Sequence, residues 1–399
     1  MMKQRFLLLL LWAGLMSMTV WAVDPIGGNC GASGHESDVT WTFSDEDGDD
    51  ARETLTISGT GAMADYSASP APWRENAEAI KSIVIHKGVT HIGSGAFSWC
   101  ESLASVDIPS GVTSIGSDAF LSCTSLTSVA LPSSVTSIGN RAFLWCSNLR
   151  SVTLYSPSCA LGGVEDEESG KTTEAFYGTY VSLQIYVFNE YVDTYKSADY
   201  WSDYASKIKA ITIPARQANA GEYWTTYYNN LSDVEMPDGT QVFKVALSGS
   251  SLTLTEIDDR IVTRGEGVVL KTTSSSILPK YAASGSATSY SDNDLQGTMS
   301  ALTNPGNAYV LNYKAAIGVG FYKLSESGTI GAGKAYLTYS GAGGAPDFLR
   351  FDEDETGLEE VQGSGLMVHD EEGKKVFRDG KLYILRDGIT YDALGRKVK

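Results

Sequence analysis

The stretch from His91 to Leu154 reads "HIGSGAFSWCESLASVDIPSGVTSIGSDAFLSCTSLTSVALPSSVTSIGNRAFLWCSNLRSVTL". It repeats itself with a step of 23 residues. Cys100, Cys123 and Cys146 keep the step, and so do Phe97, Phe120 and Phe143. Ile92, Ile115 and Ile138 each precede a glycine (Gly93, Gly116, Gly139), and Ala96, Ala119 and Ala142 complete the string. Between these strings run Leu103, Val106 and Ile108, then Leu126, Val129 and Leu131, then Leu149, Val152 and Leu154. Ile80, Ile83 and Ile85 start the series one step earlier. A unit this short cannot bury its apolar row alone. Stacked units bury it continuously, each strand pairing with the next at ~4.8 Å. The expected structure is a solenoid with Leu103, Val106 and Ile108 pointing inward. Ala119, Phe120 and Cys123 point inward from the return side, and Pro109 and Pro132 close the strands.

The period falls in the leucine-rich repeat range of about 20–29 residues. The string "IPSGVTSIGSDAFLSCTSLTSVALPSSVTSIGNRAFLWC" resembles the BspA-like (type-5) leucine-rich repeat family of bacterial surface proteins. "GNCGASGHESDVTWTFSDEDGDDARETLTISGTGAM", followed by "APWRE", resembles that family's N-terminal cap, and "IYVFNEYVDTYKSADYWSDYASKIKAI" its C-terminal cap. The resemblance spans residues 27–211. It implies a short solenoid in a secreted or cell-surface protein that adheres to host proteins. The repeat register departs after Ser151. Residues 156–173 insert Cys159, Gly162, Gly163 and the acidic run Glu165–Glu168, read as a loop, and Ala175-Phe176 is where the pattern could resume.

The ends and the charge set the compartment. Lys3 and Arg5 precede an apolar run from Phe6 to Val20, and Val20-Trp21-Ala22 offers a cleavage site. Residues 1–22 therefore read as a secretory signal peptide, and no later segment reads as a membrane-spanning helix. The chain has 399 residues, with 30 Lys+Arg against 48 Asp+Glu and a net charge of −18. That balance argues against a nucleic-acid partner, which needs a basic face, and against adsorption to anionic membranes.

The sequence divides into a cap with a β-hairpin at 23–79, the solenoid with its C-terminal cap at 80–211, and an all-β domain at 212–351. Short apolar or alternating runs such as Val242–Leu247, Gly267–Lys271 and Ala335–Thr338 point to a sandwich or barrel. "GEYWTTYYNN", "GEGVVLK", "LQGT" and "GKAYLTY" resemble a module found behind such repeats in secreted bacterial proteins. The acidic segment 352–373 reads as a solvated linker. Residues 374–399 form a basic tail, "KLYILRDGITYDALGRKVK" being a hairpin that turns at Asp387-Gly388. "YDALGRKV" resembles type IX secretion sorting tails, although the strand those tails carry after it is missing. A sorting signal and a plain hairpin both remain open. The fold class expected is mainly β with short helical turns.

The chemistry-bearing residues are sparse. His35, His86, His91 and His369 are scattered outside any zincin or triad motif, so no catalytic residue, metal site or cofactor is expected. The acidic string Asp45–Asp50 invites calcium, but an EF-hand starting at Asp45 needs glycine where Asp50 stands. A hairpin tip fits it better. Cys100, Cys123 and Cys146 share one register and are expected as buried free thiols, while Cys30 and Cys159 lie several rungs apart. The residues before the repeat cysteines are Trp99, Ser122 and Trp145. If each cysteine points inward, Trp99 and Trp145 lie at the edge, either projecting toward a partner or folded over the core. With them, the outward strand positions Ser105, Asp107, Ser128 and Thr153, and Arg150 at the margin, form the candidate surface for an extracellular or host protein. A glycan-binding alternative uses Tyr223, Trp224, Tyr227 and Tyr228.

Overall fold

A computed structural model describes residues 27–44, 53–66, 70–166, 170–219, 221–249, 251–283, 290–299, 301–314, 318–339 and 346–351, and the backbone of strands between 358 and 392. The leader at 1–22 and the acidic string Asp45–Asp50 lie outside the described residues.

The repeats coil into stacked rungs. Ser82–Ile85 pairs in parallel with Ser105–Asp107. Ser128–Leu131 pairs in the same way with Ser151–Leu154, Val129 opposite Val152. Gln184–Val187 and Ile208–Ala210 extend that ladder. A second parallel ladder runs through Val89–Ile92, Ser114–Ile115, Ser137–Ile138 and Ala160–Leu161, with each isoleucine opposite its equivalent. The turn side is tied by backbone bonds such as Phe97 N–H to Ala119 O and Phe120 N–H to Ala142 O, both 2.8 Å.

Because the step is constant, identical side chains meet. Phe97, Phe120, Phe143 and Phe176 form an aromatic column with ring centroids 5.2–5.5 Å apart. Trp73 closes it at one end and Trp201 at the other. Their indole N–H groups donate to Ala96 O (2.8 Å) and Cys159 O (2.6 Å). Each end of the stack thus receives a large apolar cap whose polar atom is satisfied. The N-terminal cap joins through the antiparallel hairpin Val39–Ser44 and Thr54–Gly59, the latter pairing in parallel with Ser82–Ile85. The C-terminal cap is the short helix Val192–Ser197 and, after it, a 3₁₀ segment, Trp201–Lys207.

All five cysteines are buried and free. The Cys123 and Cys146 thiols donate to Phe97 O (3.2 Å) and Phe120 O (3.1 Å), one rung back. Burial pushes the Cys100 thiol up to about 12, so these groups act as small apolar side chains.

Two sequence readings change. The insertion after Ser156 is not a plain loop. Ala160–Leu161 continues the second ladder, and Val164–Asp166 pairs with Gly170–Thr172 as a hairpin. The register then resumes, since Phe143 N–H donates to Ala175 O. The segment 352–373 is not simply a linker. Leu358–Val361 and Gly365–Asp370 are strands of a five-stranded antiparallel meander completed by Gly373–Arg378, Lys381–Arg386 and Ile389–Asp392. Arg386 pairs with Ile389, and the expected turn at Asp387-Gly388 lies outside the described residues. The acids on either side had obscured the short apolar run Leu366-Met367-Val368 inside one of these strands.

Residues 213–351 are strands and turns wherever they are described. Ten of the strands share one ladder, from Arg216–Asn219 at one edge to Gln296–Thr298 at the other. Among the described residues the ladder does not close into a barrel. It curls so that Lys334–Thr338 lies against Glu222–Tyr228, with Tyr228 N–H donating to Gly333 O. This half packs directly on the solenoid. Tyr155 and Phe188 share a buried cluster with Tyr227, Leu231 and Val234, and Glu190 accepts the Tyr281 backbone N–H at 2.7 Å.

Candidate functional site

The edge position before each repeat cysteine has an unusual backbone. Trp99, Ser122 and Trp145 all adopt left-handed conformations, with φ of 66°, 60° and 59°. Gly178 takes the same place on the next rung, with φ 69°. In this conformation each backbone N–H reaches the following rung: Trp99 to Leu121 O, Ser122 to Leu144 O and Trp145 to Tyr177 O. The left-handed region costs a bulky L-residue roughly 1–2 kcal/mol, and glycine avoids that cost. Two tryptophans nevertheless occupy it, and both project to solvent, Trp99 at 38% and Trp145 at 49% exposure.

Other exposed apolar groups join them. Tyr177 is 63% and Val181 82% exposed. Arg74 lies over the Trp99 ring at 5.8 Å and Arg150 over the Tyr180 ring at 4.9 Å. Gly178 is required here, because a Cβ on it would collide with the Trp145 ring. The result is a ridge of exposed Trp, Tyr and Arg, the residue types that dominate interface energetics. Sequence reading found Trp99, Trp145 and Arg150. It missed Tyr177, Tyr180 and Val181, whose place follows only once Phe176 is recognised as the next member of the column.

The strand face behaves otherwise. Ser105, Asp107 and Ser128 face the second half of the chain across a groove of about 410 Å³, opposite Tyr228, Asn230 and Met299. Ser133 N–H donates to Leu231 O at 3.1 Å and closes one side. Small side chains at Ser105, Ser128 and Ala130 permit this intramolecular approach, so the face becomes one wall of an open groove in which Ser105, Asp107 and Ser128 stay exposed. Thr153 is half-buried on the ladder that carries Ser128, whereas Arg150 belongs to the ridge.

Asp107 keeps contact with water, yet the groove strips enough of it to raise the carboxyl above its ordinary value of 3.8. A raised carboxylate pKa means that the folded state holds the proton more tightly than the unfolded chain. Asp107 therefore supports folding most below pH 3.8, and that support declines as pH rises past this value toward the folded one. Asp107→Asn is expected to remove this decline and to leave the variant at least as stable at pH 7. Thermal midpoints across the acid range check it, and a lower midpoint for the variant at pH 7 would refute the desolvation account.

The proposed glycan aromatics do not form an open platform. Tyr227 is buried. Trp224 stacks between Phe243 and Phe351, its indole N–H donating to Glu222 Oε1 at 2.6 Å. Tyr228 lies against Gly297, where no Cβ would fit, and Tyr223 is half-buried. Alternate residues of Glu222–Tyr228 face opposite sides of the sheet, which separates the four rings.

One histidine has suggestive neighbours. His91 Nδ1 lies 2.7 Å from Ser114 Oγ, and its Nε2 lies 3.5 Å from Asp65 Oδ1. Asp65 Oδ1 also accepts the Ser94 backbone N–H at 2.6 Å, and this bond chiefly lowers the carboxyl's pKa. The second contact is long for a catalytic hydrogen bond, and His91 does not line the groove at Asp107. The trio ties adjacent rungs together. Among the described residues, no group of three or more His, Cys, Asp or Glu is placed to hold a metal ion, and no helix is long and apolar enough to cross a membrane.

Comparison with known proteins bears on the same rungs. Residues 75–162 match the family model described as "BspA type Leucine rich repeat region", in six copies. This segment is a BspA-type leucine-rich repeat region. Solved structures similar to the chain include a leucine-rich repeat protein from Eubacterium ventriosum. It is 23% identical, with 41% of this chain and 45% of that one covered and a TM-score of 0.29. A leucine-rich repeat protein of T. pallidum is 21% identical over 36% of this chain and 67% of its own, with a TM-score of 0.26. A leucine-rich cell surface protein from Faecalibacterium prausnitzii is 19% identical over 50% and 58%, with a TM-score of 0.25. The chain thus spans less than half of the Eubacterium protein. Among curated proteins none matches. The BspA-type region coincides with the rungs that carry Trp99 and Trp145.

Proposed function

We propose that this chain is a non-enzymatic, secreted or cell-surface repeat protein whose solenoid edge captures an extracellular protein, of a host or its matrix. The observation that carries this reading is the pair Trp99 and Trp145. Both are exposed aromatics on left-handed backbone positions, which the neighbouring rungs fill with the small residues Ser122 and Gly178. A core function would favour the small residue at such a site. Arg74, Arg150, Tyr177 and Tyr180 extend the same surface, and the apolar leader at 1–22 fits export. The C-terminal meander fits either surface retention or a plain terminal sheet.

The test uses residues 23–399 on an array of extracellular-matrix proteins. Trp99→Gly combined with Trp145→Gly is expected to reduce capture at least about tenfold. Its thermal midpoint is expected to stay within a few degrees, because glycine removes backbone strain while it loses ring contacts. Capture unchanged in the double variant would sink the proposal.

A further inference from the structure

The second half carries a cleft separate from the ridge. It has a volume of about 450 Å³ and opens between the strand pair Arg216–Asn219 and Glu222–Tyr228 and the hairpin Ala308–Lys314 and Gly318–Lys323. That volume is in the range of small-molecule sites. Its charge is the notable feature. The chain is strongly acidic, yet the described lining includes both Arg216 and Lys334 and not one carboxylate. Lys334 is largely buried. Its ammonium donates to Thr225 Oγ1 at 2.6 Å and to Thr226 O at 3.2 Å. These are neutral acceptors, so the charge is hydrogen-bonded but not neutralised. Burial, and then the charge of Arg216, push Lys334 down to about 8. The nearby carboxylate of Glu222 is already engaged by the Trp224 indole and by Lys271 at 3.5 Å.

A buried cation without a counter-charge is costly, and a ligand anion relieves the cost. Arg216 stands exposed at the mouth and offers a planar fork suited to a carboxylate. Trp224, Val310 and Ile330 supply apolar wall, while Thr225, Asn312 and Thr329 add hydroxyl and amide groups. We propose that this cleft binds a small carboxylate-bearing ligand with a hydroxylated ring, of the sugar-acid class, the carboxylate meeting Arg216 and Lys334.

Isothermal titration of the full chain with D-glucuronate, D-glucose and acetate tests this. Glucuronate is expected to bind with a Kd of about 1 mM or tighter. It should bind at least about tenfold more tightly than acetate or glucose, and more weakly as salt rises. Arg216→Ala and Lys334→Met should each weaken glucuronate binding at least about tenfold. Arg216 is exposed, so its variant should fold, and the thermal midpoints of both variants report this directly. No heat with glucuronate overturns the proposal, and so does glucose bound as tightly as glucuronate. Acetate bound as tightly removes the ring from recognition and overturns the sugar-acid class. Wild-type affinity in folded Arg216→Ala also overturns it.

Discussion

Gly139→Ala is expected to cost about 3 kcal/mol or more, the upper end for overpacking a rigid core. The reason is distance. A Cβ at Gly139 would strike the Ser117 backbone nitrogen and lie 2.6 Å from Gly116 C and 2.8 Å from Ser117 Cα. No side chain can swing aside, because the obstacle is the neighbouring rung itself. Gly116 meets the Ser94 backbone in the same way, and Gly162 meets Asn140. Accommodating one methyl group means prising apart two rungs held by a whole ladder of hydrogen bonds. Chemical denaturation followed by circular dichroism measures the loss. A cost below about 1 kcal/mol would show that the rungs slide more freely than their spacing implies.

Phe120→Ala is expected to cost about 3–5 kcal/mol. Phe120 is fully buried and stands mid-column, with ring centroids 5.4 Å from Phe97 and 5.2 Å from Phe143. Truncation removes two ring contacts, each worth ~0.5–1.5 kcal/mol beyond buried area. It also leaves a cavity that parallel backbones on either side cannot close. Phe120→Leu, which keeps most of the volume, should cost clearly less. The same denaturation experiment reads both. Equal losses for the two variants would mean that ring stacking, and not volume, holds the column.

The repeat was legible because its residues are constrained at a single spacing. Leucine and isoleucine mark the strands, glycine marks the point of rung contact, and phenylalanine marks the column. The edge position of Trp99 and Trp145 came from alternation with the inward cysteine. Tyr177, Tyr180 and Val181 were hidden by the insertion, which carries Phe176 to 33 residues after Phe143 and breaks the count by which register is read. The acidic segment misled for a related reason. Charge composition reports solvation, but strand pairing depends on alternation and on partners downstream. Likewise, the string Glu222–Tyr228 shows four aromatics in sequence and says nothing of which ring each face of the sheet will cover.

By itself, then, the sequence determined the solenoid, its inward side chains and the strand-rich character of the second half, because these depend on local periodicity. Only the tertiary structure decided that the strand face carrying Ser105, Asp107 and Ser128 turns toward the second half. It alone placed the exposed aromatics in one ridge and brought Arg216 beside Lys334, 118 residues along the chain. Those outcomes depend on contacts between distant segments. A repeat pattern encodes the neighbour one rung away, and carries no information about which surface a later domain will cover.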